Sequence, residues 1–235
     1  MAPLTIGMLS LLDVRYRTTL LLVALAGLGV AKTRADATNT IRVLYSGEHH
    51  RVWTLYWGPR YPAADSHVHE GPTVIVFTRN GTLRLRDGRR ERHKMGDVLY
   101  HEAGVALNDG VLQNDDDYLE AMVLELRSPP PERSWEVPES PAFPRDGARQ
   151  VLDNARVTAW DVRYDPDQPT GFHRHEKLTV FLFWSAGKFE FSFRSNRPAW
   201  RIDVTHVSTT GAMPGAIDSE QVAGASMRSL QVEIK

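Results

Sequence analysis

The chain has 235 residues, a formal net charge of −1 and no cysteine. The lack of cysteine excludes disulfides, thiolate nucleophiles and thiolate metal sites, so any metal must be held by histidine, carboxylates or neutral oxygens. A nearly neutral charge balance gives no support for a nucleic-acid surface, which would need a clustered basic face, and we expect no nucleic-acid partner.

The N-terminus is predicted to be a signal peptide of 37 residues. Arg15 and Arg17 precede an apolar run over residues 18–31, which is shorter than the roughly 20 apolar residues that span a bilayer. A small-x-small pattern at residues 35–37 predicts cleavage before Thr38 and export to the periplasm or the medium. The alternatives are an uncleaved anchor, which would be the chain's one membrane attachment, or a buried helix.

The most informative pattern is an internal repeat. Residues 67–81 read HVHEGPTVIVFTRNG, and residues 173–187 read HRHEKLTVFLFWSAG. Under a constant offset of 106 residues, both histidines, the glutamate, the Thr-Val pair, a phenylalanine and the closing glycine coincide. The endings VLELR, at residues 123–127, and QVEIK, at residues 231–235, also correspond.

The repeat predicts two similar units, residues 41–127 and residues 149–235. Within them apolar and polar residues alternate, which predicts short strands with one buried face. Ile202, Val204 and His206 fall on one face of such a strand, so His206 is expected to point into the second unit. No segment after the signal peptide has helical periodicity, and the strand spacing predicts an all-β sandwich or barrel.

Residues 128–148 join the two units and are predicted to be a proline-rich linker. Six of the chain's 14 prolines lie there. Because proline lacks a backbone donor and fixes φ, the segment cannot enter a central strand and is expected to be extended and semi-rigid. Trp135 and Phe143 are predicted to anchor it, which argues against a disordered tether.

The two His-x-His pairs and their flanks resemble the first motif of the cupin superfamily, and the repeat resembles bicupins of largely unassigned function. The resemblance covers residues 41–235 and implies two tandem jelly-roll β-barrels. In cupins, two histidines and a glutamate of the first motif and a histidine of the second converge on one divalent metal. A His-x-His strand does point both imidazoles to one face, and imidazole suits Fe, Mn, Zn, Ni or Cu.

The chain departs from the cupin motifs in both units. Threonine or valine stands where the motif's glutamate is expected. Glu70 and Glu176 directly follow the histidine pairs, so strand parity turns them away from the imidazoles. The second-motif histidine maps onto Leu107 in the first unit, whereas Asp218 lies near that place in the second, with Glu220 two residues on.

The resemblance therefore implies a metal site formed by His173, His175 and Asp218 in the second unit. His67 and His69 are the candidate metal ligands of the first unit. The alternative is that the histidines are hydrogen-bonded core residues of a degenerate cupin. No catalytic residue is assigned.

Three functions remain open at this point. The chain is interpreted first as an exported bicupin that binds a small molecule in a barrel, with or without a divalent metal. It is alternatively a metal-dependent oxygenase or isomerase, or a metal-free scaffold. The fold alone does not choose among them. Because two tandem barrels already imitate a cupin dimer, we expect a monomer or a homodimer.

Overall fold

The computed structural model describes residues 41–57, 67–85, 88–104, 106–107, 119–130, 138–194 and 198–235, with the backbone alone at residues 67, 68, 84, 106 and 107. All regular structure in these ranges is β-strand, and none of it forms a helix that could span a membrane. The predicted signal peptide lies outside the described residues, so its cleavage stays a prediction.

Eighteen strands are described, nine in each half of the chain. Those of the first half are β1 (Ile41–Ser46), β2 (His50–Trp57), β3 (His67–Val68), β4 (Thr73–Phe77), β5 (Gly81–Arg84), β6 (Arg90–His93), β7 (Val98–His101), β8 (Ala106–Leu107) and β9 (Leu119–Leu126). Those of the second half are β10 (Ala148–Asp153), β11 (Val157–Tyr164), β12 (His173–Arg174), β13 (Leu178–Phe183), β14 (Gly187–Phe193), β15 (Trp200–Val204), β16 (Ser208–Ala212), β17 (Ile217–Ala223) and β18 (Met227–Ile234).

The two halves repeat one topology. The first contains a five-stranded sheet in the order β1-β2-β9-β4-β7, together with the strand pairs β3-β8 and β5-β6. The second contains the corresponding sheet β10-β11-β18-β13-β16 and a four-stranded sheet β12-β17-β14-β15. Even the irregularity in the first hairpin recurs, between β1 and β2 and between β10 and β11. The predicted all-β fold of two tandem jelly-roll barrels is confirmed.

An aromatic core fills the second barrel between its two sheets. Phe181 and Phe183 point inward from β13 and meet Phe191 and Phe189 from β14, with ring centroids 5.4 and 4.8 Å apart respectively. The alternation seen in the sequence of β14 thus places its phenylalanines inside and its polar residues outside. The first barrel has a separate core around Trp53, Phe77 and neighbouring aliphatic residues.

The five-stranded sheets of the two halves share a second, aliphatic core. Val180 and Leu182 alternate with the phenylalanines of β13, so they lie on its other face, in one buried cluster with Met122 and Leu124 of the first half. Every residue of β9 and β13 is buried. This explains why these strands read as continuous apolar runs, which is the pattern of a strand covered on both faces.

The connector runs from the end of β9 to the start of β10, at Ala148. Phe143 is buried in the second-half core, where its ring stacks on Trp160 with 4.8 Å between centroids and 4° between planes. The backbone N–H of Ala142 donates to the Arg174 carbonyl, and the N–H of Arg174 donates to the Ser140 carbonyl, so the connector pairs with β12. Phe143 therefore anchors this segment as predicted, whereas Trp135 lies outside the described residues.

One expectation about an inward-facing histidine is wrong. β15 ends at Val204, so the strand parity that would turn His206 inward does not continue to that residue. The His206 side chain is instead 51% exposed. Its Nε2 lies 2.7 Å from Oε2 of the buried Glu120, which belongs to the first half.

Candidate metal centre

Four side chains with metal-ligating atoms converge in the second half: His173, His175, Asp218 and Glu220. The two histidines are separated by one residue, so both imidazoles project from the same side of the chain at β12. The two carboxylates have the same spacing on β17. Because β12 and β17 are antiparallel neighbours with His173 opposite Asp218, the pairs face each other.

The distances in this cluster suit a single ion. The four candidate ligand atoms lie within 4.8 Å of one another, and all four residues are buried. Asp218 Oδ1 lies 3.3 Å from Nε2 of both His173 and His175, and Glu220 Oε1 lies 3.5 and 4.0 Å from the same two nitrogens. Ligand bonds of about 2.0–2.2 Å would separate neighbouring ligand atoms by roughly 3–4 Å.

Hydrogen bonds on the far side of each imidazole fix which nitrogen faces the cluster. His173 Nδ1 lies 3.0 Å from the carbonyl oxygen of Gly171, to which it donates. His175 Nδ1 lies 3.0 Å from Thr179 Oγ1, whose own hydroxyl donates to the Lys177 carbonyl. Both Nδ1 atoms therefore act as donors, which leaves Nε2 of each ring directed at the carboxylates, as in ligating histidines generally.

Three side chains hold the carboxylate of Glu220, which is fully buried. Its Oε2 accepts hydrogen bonds from the Tyr164 hydroxyl at 2.8 Å and from Arg145 Nη2. Gln231 Nε2 lies 3.3 Å from the same oxygen. The other oxygen, Oε1, faces the histidines. Glu220 is thus oriented so that one oxygen is anchored and the other is presented to the cluster.

The cluster also shifts the pKa values of Glu220, Asp218 and His173. Burial alone would raise the pKa of Glu220, but the Arg145 charge and the histidines outweigh it and hold that pKa well below its usual range. Hydrogen bonds from the two histidines lower the pKa of Asp218 against the same effect of burial. Burial would lower the pKa of His173, yet the two carboxylates raise it to about 9.

The first half does not assemble a matching cluster among its described residues. The Cα partner of His67 is Leu107, the place that Asp218 takes opposite His173, so an apolar residue replaces a ligand there. His69 is buried, with Nδ1 3.4 Å from Glu125 Oε2 and its ring stacked on Trp53. The side chain of His67 is outside the described part of the structure, so His67 and His69 stay predicted ligands, with the Glu125 carboxylate beside His69.

A cleft of about 520 Å³ lies elsewhere, at the C-terminus of the chain. Its walls include Glu70, Glu125, Arg127, Arg156 and Lys235. None of the four cluster residues lines it, so this cleft is separate from the candidate metal centre.

Two residues of the centre were not assigned from the sequence. Glu220 was noted beside Asp218, and the Asp-x-Glu spacing on a strand facing His-x-His is the signal that could have completed the ligand set. Arg145 carried no such signal, because it belongs to the proline-rich connector and reaches the barrel only through that segment's fold. Glu176 behaves as parity predicted: it is exposed and pairs with Arg174 at 2.8 Å.

No protein-family model matches the chain, and no curated protein matches it. Solved structures do. AerE from Microcystis aeruginosa is 10% identical, with a TM-score of 0.55 over 83% of this chain and 91% of that one. Oxalate decarboxylase from Bacillus subtilis, a protein with Mn(II) centres, is 12% identical, with a TM-score of 0.50 over 80% and 69%. A cupin 2 conserved barrel domain protein from Leptotrichia buccalis is 9% identical, with a TM-score of 0.47 over 83% and 88%. At such identities the likeness concerns the fold.

Proposed function

The chain has the cupin fold, and we propose that it is a metal-binding bicupin whose second half holds one divalent cation and a small-molecule ligand. His173, His175, Asp218 and Glu220 would hold the metal. The observation that carries this proposal is the convergence of four buried donors whose imidazoles are already oriented by hydrogen bonds.

The donor set fits a divalent ion. Two neutral imidazoles and two carboxylates contribute a charge of −2, which a divalent cation neutralises. Mixed nitrogen and oxygen donors are compatible with Fe, Mn, Zn, Ni or Cu. Four protein ligands leave coordination positions open in ions that accept five or six ligands, so a ligand from solution could join the metal.

A comparison of equivalent positions supports a dedicated site in the second half. The strand registers align Tyr164 with Trp57 and Gln231 with Val123. The first barrel therefore fills with apolar side chains the positions that anchor Glu220 in the second. Burying a polar network costs free energy unless every group finds a partner. Because the first barrel has apolar residues at these positions, the fold itself does not require the polar network of the second.

The chemistry of such a centre concerns small molecules. A bound divalent metal would supply Lewis-acid polarisation or activation of a ligand at its open positions. Within the protein, Gly171 and Thr179 keep the imidazole protons on Nδ1, and Tyr164 and Gln231 keep Glu220 in place. These features favour metal-dependent oxygenase or isomerase chemistry over a pure scaffold.

Metal content is the direct test. The chain is expressed at full length, purified, and measured by mass spectrometry beside a His173→Ala/His175→Ala double variant. The matched control is His67→Ala/His69→Ala in the first half. We expect about one equivalent of metal in the wild type and in the control, and a loss of that metal in the second-half variant.

Other outcomes would contradict the assignment. Metal lost only from the first-half variant would move the centre to the other barrel. No metal in the wild type after reconstitution would leave the scaffold function, which the Arg145–Glu220 ion pair favours because it already neutralises one of the two carboxylates. Export is a further part of the proposal, and its support is the N-terminal sequence pattern alone.

A further inference from the structure

Arg145 enters the second barrel on a segment whose backbone is fixed. Pro141 forms a β-bridge with Arg174, and Ala142 donates a backbone hydrogen bond to the Arg174 carbonyl. Phe143 is stacked on Trp160, and the Arg145 guanidinium carbon lies 4.9 Å from the Phe143 ring centroid. The connector therefore places the Arg145 guanidinium beside the candidate metal centre.

The guanidinium contacts two of the four candidate ligands, Glu220 and His173. Nη2 donates to Glu220 Oε2. Nη1 lies 3.0 Å from Nε2 and 3.3 Å from Nδ1 of His173. A position so nearly equidistant from both ring nitrogens lies over the ring face and not along one lone pair, so Nε2 stays directed at the carboxylates.

Arg145 retains a donor that the described residues do not use. The side chain is 12% exposed, and its buried Nε–H has no hydrogen-bond partner among the described residues. An unsatisfied buried donor is rare in native proteins and indicates a missing partner. Tyr164 and Gln231 also donate to Glu220, and the Arg145 charge neutralises that carboxylate, so the unused Nε–H is the feature that these contacts leave unexplained.

The charges of the loaded centre do not cancel. A divalent cation and Arg145 contribute +3, Asp218 and Glu220 contribute −2, and metal-bound imidazoles are neutral. The centre would carry one excess positive charge inside a barrel, where uncompensated charge is costly. A single exogenous negative charge would remove the excess, whereas a dianion would reverse it.

We propose that the second-half centre, once it holds its metal, binds a small monocarboxylate, and that Arg145 donates a charge-assisted hydrogen bond to it. This inference rests on the metal-binding function proposed above. A carboxylate suits both partners, because its oxygens ligate divalent metals and its plane matches the donor geometry of a guanidinium.

The test measures the binding of acetate to metal-loaded protein by isothermal titration calorimetry, at constant ionic strength, after the metal content of each sample is known. Acetamide is the neutral probe of the same size. We expect acetate to bind to the wild type and acetamide not to bind. Arg145→Gln should weaken acetate binding by about tenfold or more, the effect of losing one hydrogen bond to a charged group.

Three further variants separate ligand binding from support of the metal. Arg145→Lys keeps the charge and should restore part of the acetate affinity. Tyr164→Phe removes another hydrogen-bond donor to Glu220 and should weaken metal binding, which shows how a loss of support for the metal alone appears in the two measurements. Arg149→Gln, at an exposed arginine of the following strand β10 that pairs with Asp161, should match the wild type in both measurements.

The outcomes distinguish this inference from the function on which it rests. A protein that takes up no metal overturns both. A protein that takes up metal but binds acetate equally well with Arg145→Gln, or binds acetamide as tightly as acetate, overturns the carboxylate inference and leaves the metal-binding function standing.

Discussion

At the scale of single residues, His173 is a site where burial and two carboxylates act on the pKa in opposite directions. Its pKa is raised from 6.5 to about 9, despite burial, by hydrogen bonds to Asp218 and Glu220. The metal-free folded protein therefore binds a proton that the unfolded chain releases near pH 6.5. A metal would displace that proton, so metal binding is expected to release it.

This shift gives a pH dependence of stability with a definite sign. The contribution of His173 to the free energy of unfolding is fully present below pH 6.5 and is lost as the pH rises through about 9. A shift of this size corresponds to roughly 3 kcal/mol. Urea unfolding of the metal-free protein between pH 6 and pH 9.5 would measure it.

The control for this measurement lies at the surface of the first half. His173→Gln should flatten the decline above pH 6.5, whereas His49→Gln, at a half-buried surface site whose imidazole contacts the Ser128 carbonyl, should keep it. A wild-type protein whose stability rises from pH 6.5 to 9 would contradict the shift.

At the scale of elements, the connector docks on the second barrel through Phe143. Phe143→Ala would remove a ring that is buried against Trp160, and we expect the free energy of unfolding to fall by about 3 kcal/mol or more. Chemical denaturation followed by tryptophan fluorescence would measure the change. Phe172→Ala is the matched control, because that ring is 48% exposed. Equal effects of the two substitutions would show that the connector is not docked on the barrel in solution.

The limits of sequence-based prediction also appear at this scale. Repeat and parity predicted the alternating strands and the common face of His173 and His175, because these depend on local spacing. Asp218 was a candidate only through the resemblance to the second cupin motif, and metal binding by the three residues stays a prediction. Arg145 depends on where a proline-rich segment crosses a barrel, which no local pattern encodes. His206 was misplaced because parity was carried past Val204, where the strand ends.

At the scale of the whole molecule, the shared aliphatic core is expected to couple the unfolding of the two halves. Leu182 is fully buried in this core. We expect Leu182→Ala to lower the free energy of unfolding by about 2–5 kcal/mol and to leave one cooperative transition for both halves. Calorimetry would give the number of transitions.

Two results bear on this prediction. Leu99→Ala, at an exposed leucine of the first half, should leave the transition nearly unchanged. Two separate transitions in the wild type, or a shift confined to one of two transitions in Leu182→Ala, would show that the halves unfold independently.

The shared core has a consequence for how the protein responds to dilution. When two barrels from separate chains pack together, the fraction assembled falls as protein concentration falls. Here a covalent tether supplies the neighbouring barrel at a high and constant effective concentration. The packing of the first barrel against the second in the shared aliphatic core is therefore independent of how much protein is present.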